Sequence, residues 1–277
     1  MNTYATQIIR ILERVTASVI FEDWLDLVHA SLEALPRHLE SAVRERTLAP
    51  ETDEAEKMFE RLRSRYQSKY YWELFYEAFA ILLDSADDVD GSVIWDDTIG
   101  QIYMEWGVPN KHTGQFFTPF EVARMMARVS MDDIQERVFG MLETAYLQTP
   151  VGQMHEMLTS RERVNAFVRQ LGPDMLVACA EYVKPIRISD PACGSGVMFL
   201  ACAEQTPRWM LDWGLVQFYG QDIDMTCVRM CQVNMMLYGL NGYNLRNAAQ
   251  LAQAEAPEGE PEPIIVDVSA WRQEALL

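Results

Sequence analysis

"DPACGSGVMFLACAE", residues 190–204, follows the short apolar run "KPIRIS" at 184–189, and its reading decides the fold. The pattern predicts a strand ending at Ser189, an acidic residue at its tip, a turn through Gly194 and Gly196, and a helix from about Val197. Glycines let the backbone come close to a ligand, and the helix start presents N–H groups to an anionic part of it. Taken alone, Gly-Ser-Gly is a fragment of the dinucleotide fingerprint, with Phe199 where a third glycine would stand, and a tight turn that holds nothing explains it too.

Two further stretches stand in register with the first. "VQFYGQDIDMTCVRM", at 216–230, predicts a second strand through Tyr219, then Asp222, Ile223 and Asp224, then a helix. In nucleoside-binding α/β folds an acidic residue at the tip of the second strand accepts hydrogen bonds from ribose hydroxyls, and an apolar neighbour can cover the base. Asp224 is placed to cap the helix that follows. Upstream, "NKHTGQFFTPFEVARMMARVS" places Thr118 as N-cap and Pro119 in the first turn of a helix. Helix capping leaves the preceding Gly-Gln-Phe-Phe unexplained.

The rest of the chain divides by pattern. Residues 1 to about 110 read as helices: Ile8, Ile11, Leu12, Val15, Val19, Trp24, Leu25 and Val28 recur at three- and four-residue intervals, and "EAEKMFERLRSRYQSKYYWELFYEAFAILLDSA" continues likewise. Arg61, Arg63, Arg65 and Lys69 interleave with Tyr66, Tyr70, Tyr71 and Trp72. The favoured reading is one long helix with a solvated and a buried face rather than a nucleic-acid platform. "ADDVDGSVIWDD" has Gly91, Asp88 and Asp90 in calcium-loop style. It nevertheless begins with Ala86 and ends with Asp97 instead of a glutamate, so an acidic loop between helices is expected. Beyond 110, short apolar runs alternate with helical stretches, the pattern of a parallel sheet with helices on its faces. Residues 129–184 are mostly helical, and "AQAEAPEGEPEP" at 252–263 reads as a surface loop or linker.

Composition narrows the function. With 277 residues, 49% of them hydrophobic, the chain can bury substantial cores, and the expectation is a soluble, cytoplasmic protein without a signal peptide or membrane span. The five cysteines, Cys179, Cys193, Cys202, Cys227 and Cys231, form no C-x-x-C pair and no zinc set, so no metal is expected. Cys227 and Cys231, four apart, are expected on one helix face. A formal charge of −18 equips the chain poorly to hold DNA by itself, because nucleic-acid affinity comes largely from cationic contacts.

"GQFFTP", "DPACGSG" and "GQDID", in this order after a helical region, resemble the N6-adenine DNA methyltransferases related to the modification subunit of type I restriction systems. The resemblance covers roughly residues 95–251, from about "IGQIYMEWG" onward. It implies an α/β fold: a Rossmann-like S-adenosyl-L-methionine-dependent methyltransferase domain over 111–277 preceded by an all-helical N-terminal domain over 1–110. It implies that Gly114, Gln115, Phe116, Phe117, Thr118 and Pro119 close over the methionine end of S-adenosylmethionine, with Phe117 and Thr118 nearest. Asp190, Pro191, Ala192, Gly194 and Gly196 would receive the cofactor's amino acid moiety, Asp222 the ribose hydroxyls, and Ile223 would lie on the adenine ring. DNA is the implied substrate, and a specificity or other protein subunit the implied partner that supplies the grip on it.

The family pattern is incomplete here. Ala248 and Ala249, in "NLRNAAQL", stand where a glycine-aspartate step usually contacts the cofactor adenine. Enzymes of this kind hold a flipped adenine with an [Asn/Asp/Ser]-Pro-Pro-[Tyr/Phe/Trp] segment after the fourth strand. These 277 residues contain no Pro-Pro pair, and the candidate fourth strand "PIIVDVSAW" ends in Ser269-Ala270-Trp271. No catalytic residue is assigned. Two readings follow: an adenine methyltransferase completed by a partner, or a cofactor-binding pseudo-methyltransferase that serves as a structural or regulatory subunit of a defence or mobile-element complex.

Overall fold

The computed structural model describes residues 2–15, 19–44, 50–87, 92–106 and 117–241. Gly114 to Phe116, Asp88 to Gly91, Ala248, Ala249, the 252–263 stretch, Ser269 and Trp271 lie outside the described residues.

The first part is helical, as its periodicity predicts. α1 (Thr3–Leu12), α2 (Ile20–Arg44), α3 (Asp53–Arg65), α4 (Lys69–Asp84) and α5 (Thr98–Glu105) pack around Ile8, Leu12, Trp24, Leu25, Val28, Phe75 and Ile102, all fully buried. Trp24 is held in orientation as well as buried, since its Nε1–H donates to the Phe75 carbonyl at 3.3 Å. Trp24→Ala would cost about 3–5 kcal/mol, the usual effect of emptying an aromatic site in a core.

The Arg61–Trp72 stretch is not one helix. α3 ends at Arg65, α4 begins at Lys69, and Tyr66 sits buried at the corner. Its hydroxyl donates to Asp23 at 2.7 Å, Arg65 pairs with the same carboxylate, and Arg61 reaches Asp26 at 2.6 Å. Arg61 and Arg65 are therefore matched by acids of α2, and the stretch is a helix–helix corner, in keeping with the structural reading over the nucleic-acid one.

Five helices follow: α6 (Phe120–Ser130), α7 (Ile134–Gln148), α8 (Pro150–Leu158), α9 (Arg161–Leu171) and α10 (Met175–Cys179). Then come β1 (Ile186–Asp190), α11 (Val197–Glu204), α12 (Arg208–Asp212), β2 (Val216–Gly220) and α13 (Met225–Leu237). β1 and β2 are parallel, in register from Ile186 opposite Val216 to Asp190 opposite Gly220. Both strands run one residue further than the apolar runs suggest, because Asp190 and Gly220 still pair.

The expected cap of α6 is corrected. Pro119 occupies the N-cap position with extended backbone (φ −57°, ψ 140°), no side chain caps the helix, and the first helical residue is Phe120. A threonine before proline can cap, as Thr149 does for α8 by accepting from Gly152 N–H, but here Pro119 is itself extended instead of helical, so the N-cap position falls one residue after Thr118.

A second core surrounds the sheet, with Leu200, Val216 and Phe218 fully buried among Ala123, Ala127, Val138 and Leu142. α13 belongs to both cores. Cys227, Met230, Val233 and Met236 join the N-terminal cluster, while Cys231 and Met235 face the second. The two cysteines expected on one face of α13 thus serve different cores. All five thiols are free and buried. Among the described residues no helix is long and apolar enough to cross a membrane, and no group of acidic, His or Cys side chains is arranged to hold a metal ion.

Candidate functional site

Parallel pairing brings the C-terminal ends of β1 and β2 side by side, with Asp190 level with Gly220. The chain leaving β1 is tied to the chain leaving β2 by backbone bonds: Gln221 N–H donates to the Asp190 carbonyl and Cys193 N–H to the Gln221 carbonyl, each at 2.9 Å. The turn itself needs its glycines, since Gly194 and Gly196 lie in the left-handed region at φ +55° and +85°. α11 then starts at Val197, as expected.

Three acidic side chains organise these strand ends. Asp190 Oδ1 accepts from the Ala192 N–H at 2.9 Å. Asp222 bridges the two connections, with Oδ2 accepting from Gly194 N–H at 2.9 Å and Oδ1 from Asp224 N–H at 3.0 Å. An ionised carboxylate has about four acceptor positions, so both bonds leave capacity for further donors. Asp222 is only partly buried, and Ile223 beside it is 88% exposed. Asp224 caps α13 as expected, accepting from Thr226 N–H at 2.8 Å.

Phe117 comes to the same place from the other side. A Cβ added to Gly194 would lie 3.2 Å from the Phe117 ring, so the ring rests over the turn. α6, which follows Phe117 within three residues, packs on α11 through Ala123 and Ala127, whose small side chains allow close approach. Arg124 fastens the pair, donating from Nε to Glu204 at 2.7 Å. Thr118 is partly buried and Pro119 exposed at the entry to α6, while Pro191 and Ala192 are exposed on the turn. Of the residues singled out from sequence, the structure gathers Phe117, Asp190, Gly194, Gly196 and Asp222 around one turn, with Ile223 on its rim. A separate depression of about 410 Å³ lies elsewhere, lined by Arg128, Asp132, Gln135 and Gln205 near the start of α7.

Sequence reasoning missed a buried polar cluster beneath the turn. Asp97, the N-cap of α5, accepts from Gly100 N–H at 2.9 Å, from Asn234 Nδ2 at 2.9 Å, and from the Ser195 hydroxyl. Asn234 also donates to the Ser195 carbonyl at 2.9 Å. Burial pushes the Asp97 carboxyl above its ordinary range, and the bonds from Ser195, Gly100 and Asn234 oppose that rise. Tyr103, further along α5, stacks on Phe117 with ring centroids 5.4 Å apart and planes 18° apart. Burial, then the charge of Asp224, lifts its phenol to about 12. The local signal for Asp97 was its N-cap position before Thr98-Ile99-Gly100; nothing local pointed to Ser195.

A glycine turn after one parallel strand and an acidic residue after the next make up the strand-end arrangement on which α/β proteins place nucleotide-type ligands. Comparison with known proteins narrows the class. Residues 167–270, less than half of the chain, match the sequence model of the N-6 DNA Methylase family, a similarity that implies a methyltransferase fold for this segment. The Type I restriction enzyme MjaIX methylase subunit of Methanocaldococcus jannaschii is 38% identical over 60 residues, 22% of this chain and 11% of that protein. The match thus spans a small part of the relative's length. No solved structure matches the chain significantly.

Proposed function

We propose that this chain is the cofactor-binding part of an S-adenosylmethionine-dependent DNA adenine-N6 methyltransferase of the type I restriction-modification kind. In this reading residues 1–110 form a helical N-terminal domain and 111–277 a Rossmann-like cofactor domain. The protein works in the cytoplasm, with a specificity or other subunit gripping the DNA. The observation that carries the reading is the bridge from Asp222 to the Gly194 N–H, within a segment of N-6 DNA methylase sequence.

The residues fit such a cofactor by their chemistry. A carboxylate at the end of β1, Asp190, suits the cofactor's ammonium group, and the spare acceptor positions of Asp222 suit two vicinal hydroxyls. Ile223 presents an uncovered aliphatic side chain of the kind that lies against an adenine ring. Pro191, Ala192, Gly194 and Gly196 shape the turn, and the family resemblance would assign the segment from Gly114, Gln115 and Phe116 to Phe117, Thr118 and Pro119 to the methionine end, with Phe117 and Thr118 nearest. When bound, S-adenosylmethionine supplies a sulfonium-activated methyl group as electrophile for the adenine amino nitrogen. The chain's own contribution is to orient that group and exclude water from it, effects worth several kcal/mol of barrier in well-organised sites.

A second reading, a cofactor-binding pseudo-methyltransferase in a defence or mobile-element complex, is favoured by Ser269-Ala270-Trp271 standing where the family carries its Pro-Pro-aromatic segment. Transfer of labelled methyl groups to adenine in DNA separates the two. Methylation by the protein with its partner subunits supports the enzyme; cofactor binding without transfer, under every partner condition, supports the second reading.

A further inference from the structure

α5 reaches the glycine turn at two points, and it lies outside the segment that matches the methylase family. At its N-terminal end Asp97 receives the Ser195 hydroxyl, and Ser195 stands between the two left-handed glycines. Near its C-terminal end Tyr103 backs Phe117, the ring that rests over Gly194. The approach is close enough to need a glycine on α5 itself: a Cβ at Gly100 would fall 2.1 Å from Asp97 Oδ2 and 2.8 Å from Ser195 Oγ.

The cluster is more than a helix cap requires. Serine or threonine caps as well as aspartate, without the cost of burying a carboxylate. Here Asp97, Ser195 and Asn234 are all buried, so none of them faces a ligand from solvent. Their three hydrogen bonds join three separate elements: the start of α5, the turn after β1, and the middle of α13. Asn234 gives both its N–H groups to this junction, while its Oδ1 accepts no hydrogen bond from the described residues.

We propose that Asp97 is a positioning residue for the cofactor turn: through Ser195 it fixes the backbone from Cys193 to Gly196, and the helical region ahead of the matched segment is thereby part of the cofactor site. The proposal rests on the reading of that turn as the S-adenosylmethionine site. Asp97 holds the turn from below, and Tyr103, by backing Phe117, holds it from above. A disturbance of α5 therefore reaches the cofactor without touching Asp190 or Asp222.

Ser195→Ala tests this directly, because it removes the link to Asp97 while leaving Asp97 its bonds from Gly100 and Asn234. Amide hydrogen exchange of residues 192–196 in the unliganded full chain, and calorimetry with S-adenosylmethionine, are measured for wild type, Ser195→Ala, Asp97→Asn and Thr149→Ala. Thr149 caps α8 away from the turn, so its variant controls for a general loss of stability. Ser195→Ala should speed exchange at 192–196 at least tenfold and weaken the cofactor at least tenfold, with exchange in α2 and α4 unchanged. Asp97→Asn, which keeps two of three acceptor bonds and can donate to Ser195, should fall between it and wild type, and it stands in should Ser195→Ala fail to fold. Wild-type exchange at the turn in both Ser195→Ala and Asp97→Asn would overturn the proposal, as would an equal effect of Thr149→Ala. If wild type itself binds no S-adenosylmethionine, the functional reading fails, and the exchange measurement alone still decides whether Asp97 positions the turn.

Discussion

Replacing Gly196 by alanine asks two things of the turn at once, and the structure separates them. At φ +85° an L-residue is strained by about 1–2 kcal/mol. The new Cβ would also lie 2.9 Å from Cys231 Sγ, on a side chain buried in the second core, and overpacking of that kind costs about 1–3 kcal/mol. Gly196→Ala should therefore destabilise the protein by about 2–5 kcal/mol, and only the second part depends on Cys231. Cys231→Ala removes the sulfur, while the Cys231 Cα and Cβ stay 3.6 Å from the added carbon, an ordinary contact. In urea unfolding at constant m-value, the double variant should be more stable than the sum of the single changes predicts, by about 1–3 kcal/mol. Strict additivity, or a Gly196→Ala variant as stable as wild type, would refute the packing of the turn on α13.

His29 gives a pH prediction. Burial first, and then the charge of Arg229, hold its pKa down at about 3 against an ordinary 6.5, so the unfolded chain binds the proton more readily and stability is lost as pH falls from 6.5 towards 3. At about 1.4 kcal/mol per pH unit below 6.5, wild type should lose roughly 2 kcal/mol more than His29→Gln between about pH 7 and about pH 5, and equal losses would remove His29 from the account. DNA provides the third test: at a charge of −18 the chain alone should bind duplex weakly, with binding vanishing as salt rises, and tight selective binding at physiological salt would dispose of the need for a partner.

The strand ends were legible because their information is local. Apolar runs stop at Asp190 and Gly220, glycines mark the turn, and Asp224 stands where a cap belongs, so spacing alone located two strands and the helices after them. Thr118 misled because a threonine before proline looks like a cap, whereas the proline's own extended backbone delays the helix to Phe120. The Arg61–Trp72 stretch misled for a different reason. Arg61 and Arg65 are answered by Asp26 and Asp23, 35 and 42 residues earlier, and its helix breaks at Tyr66 to bury the ring. Asp97 and Ser195 are 98 residues apart and Asp97 and Asn234 137 apart, and no periodicity links positions so distant. Side chains that join elements are decided by tertiary packing, which a pattern read along one chain does not contain.

Titration of S-adenosylmethionine into the purified protein, wild type beside Asp222→Ala, is the most direct measurement of the central claim. The account predicts saturable binding to one site in wild type, weakened about ten- to a hundredfold in the variant by loss of charge-assisted bonds worth roughly 1.5–3 kcal/mol. Equal affinity in the two proteins would take Asp222 out of the site, and an absence of binding to folded wild type would contradict the assignment of the glycine turn as a cofactor cradle.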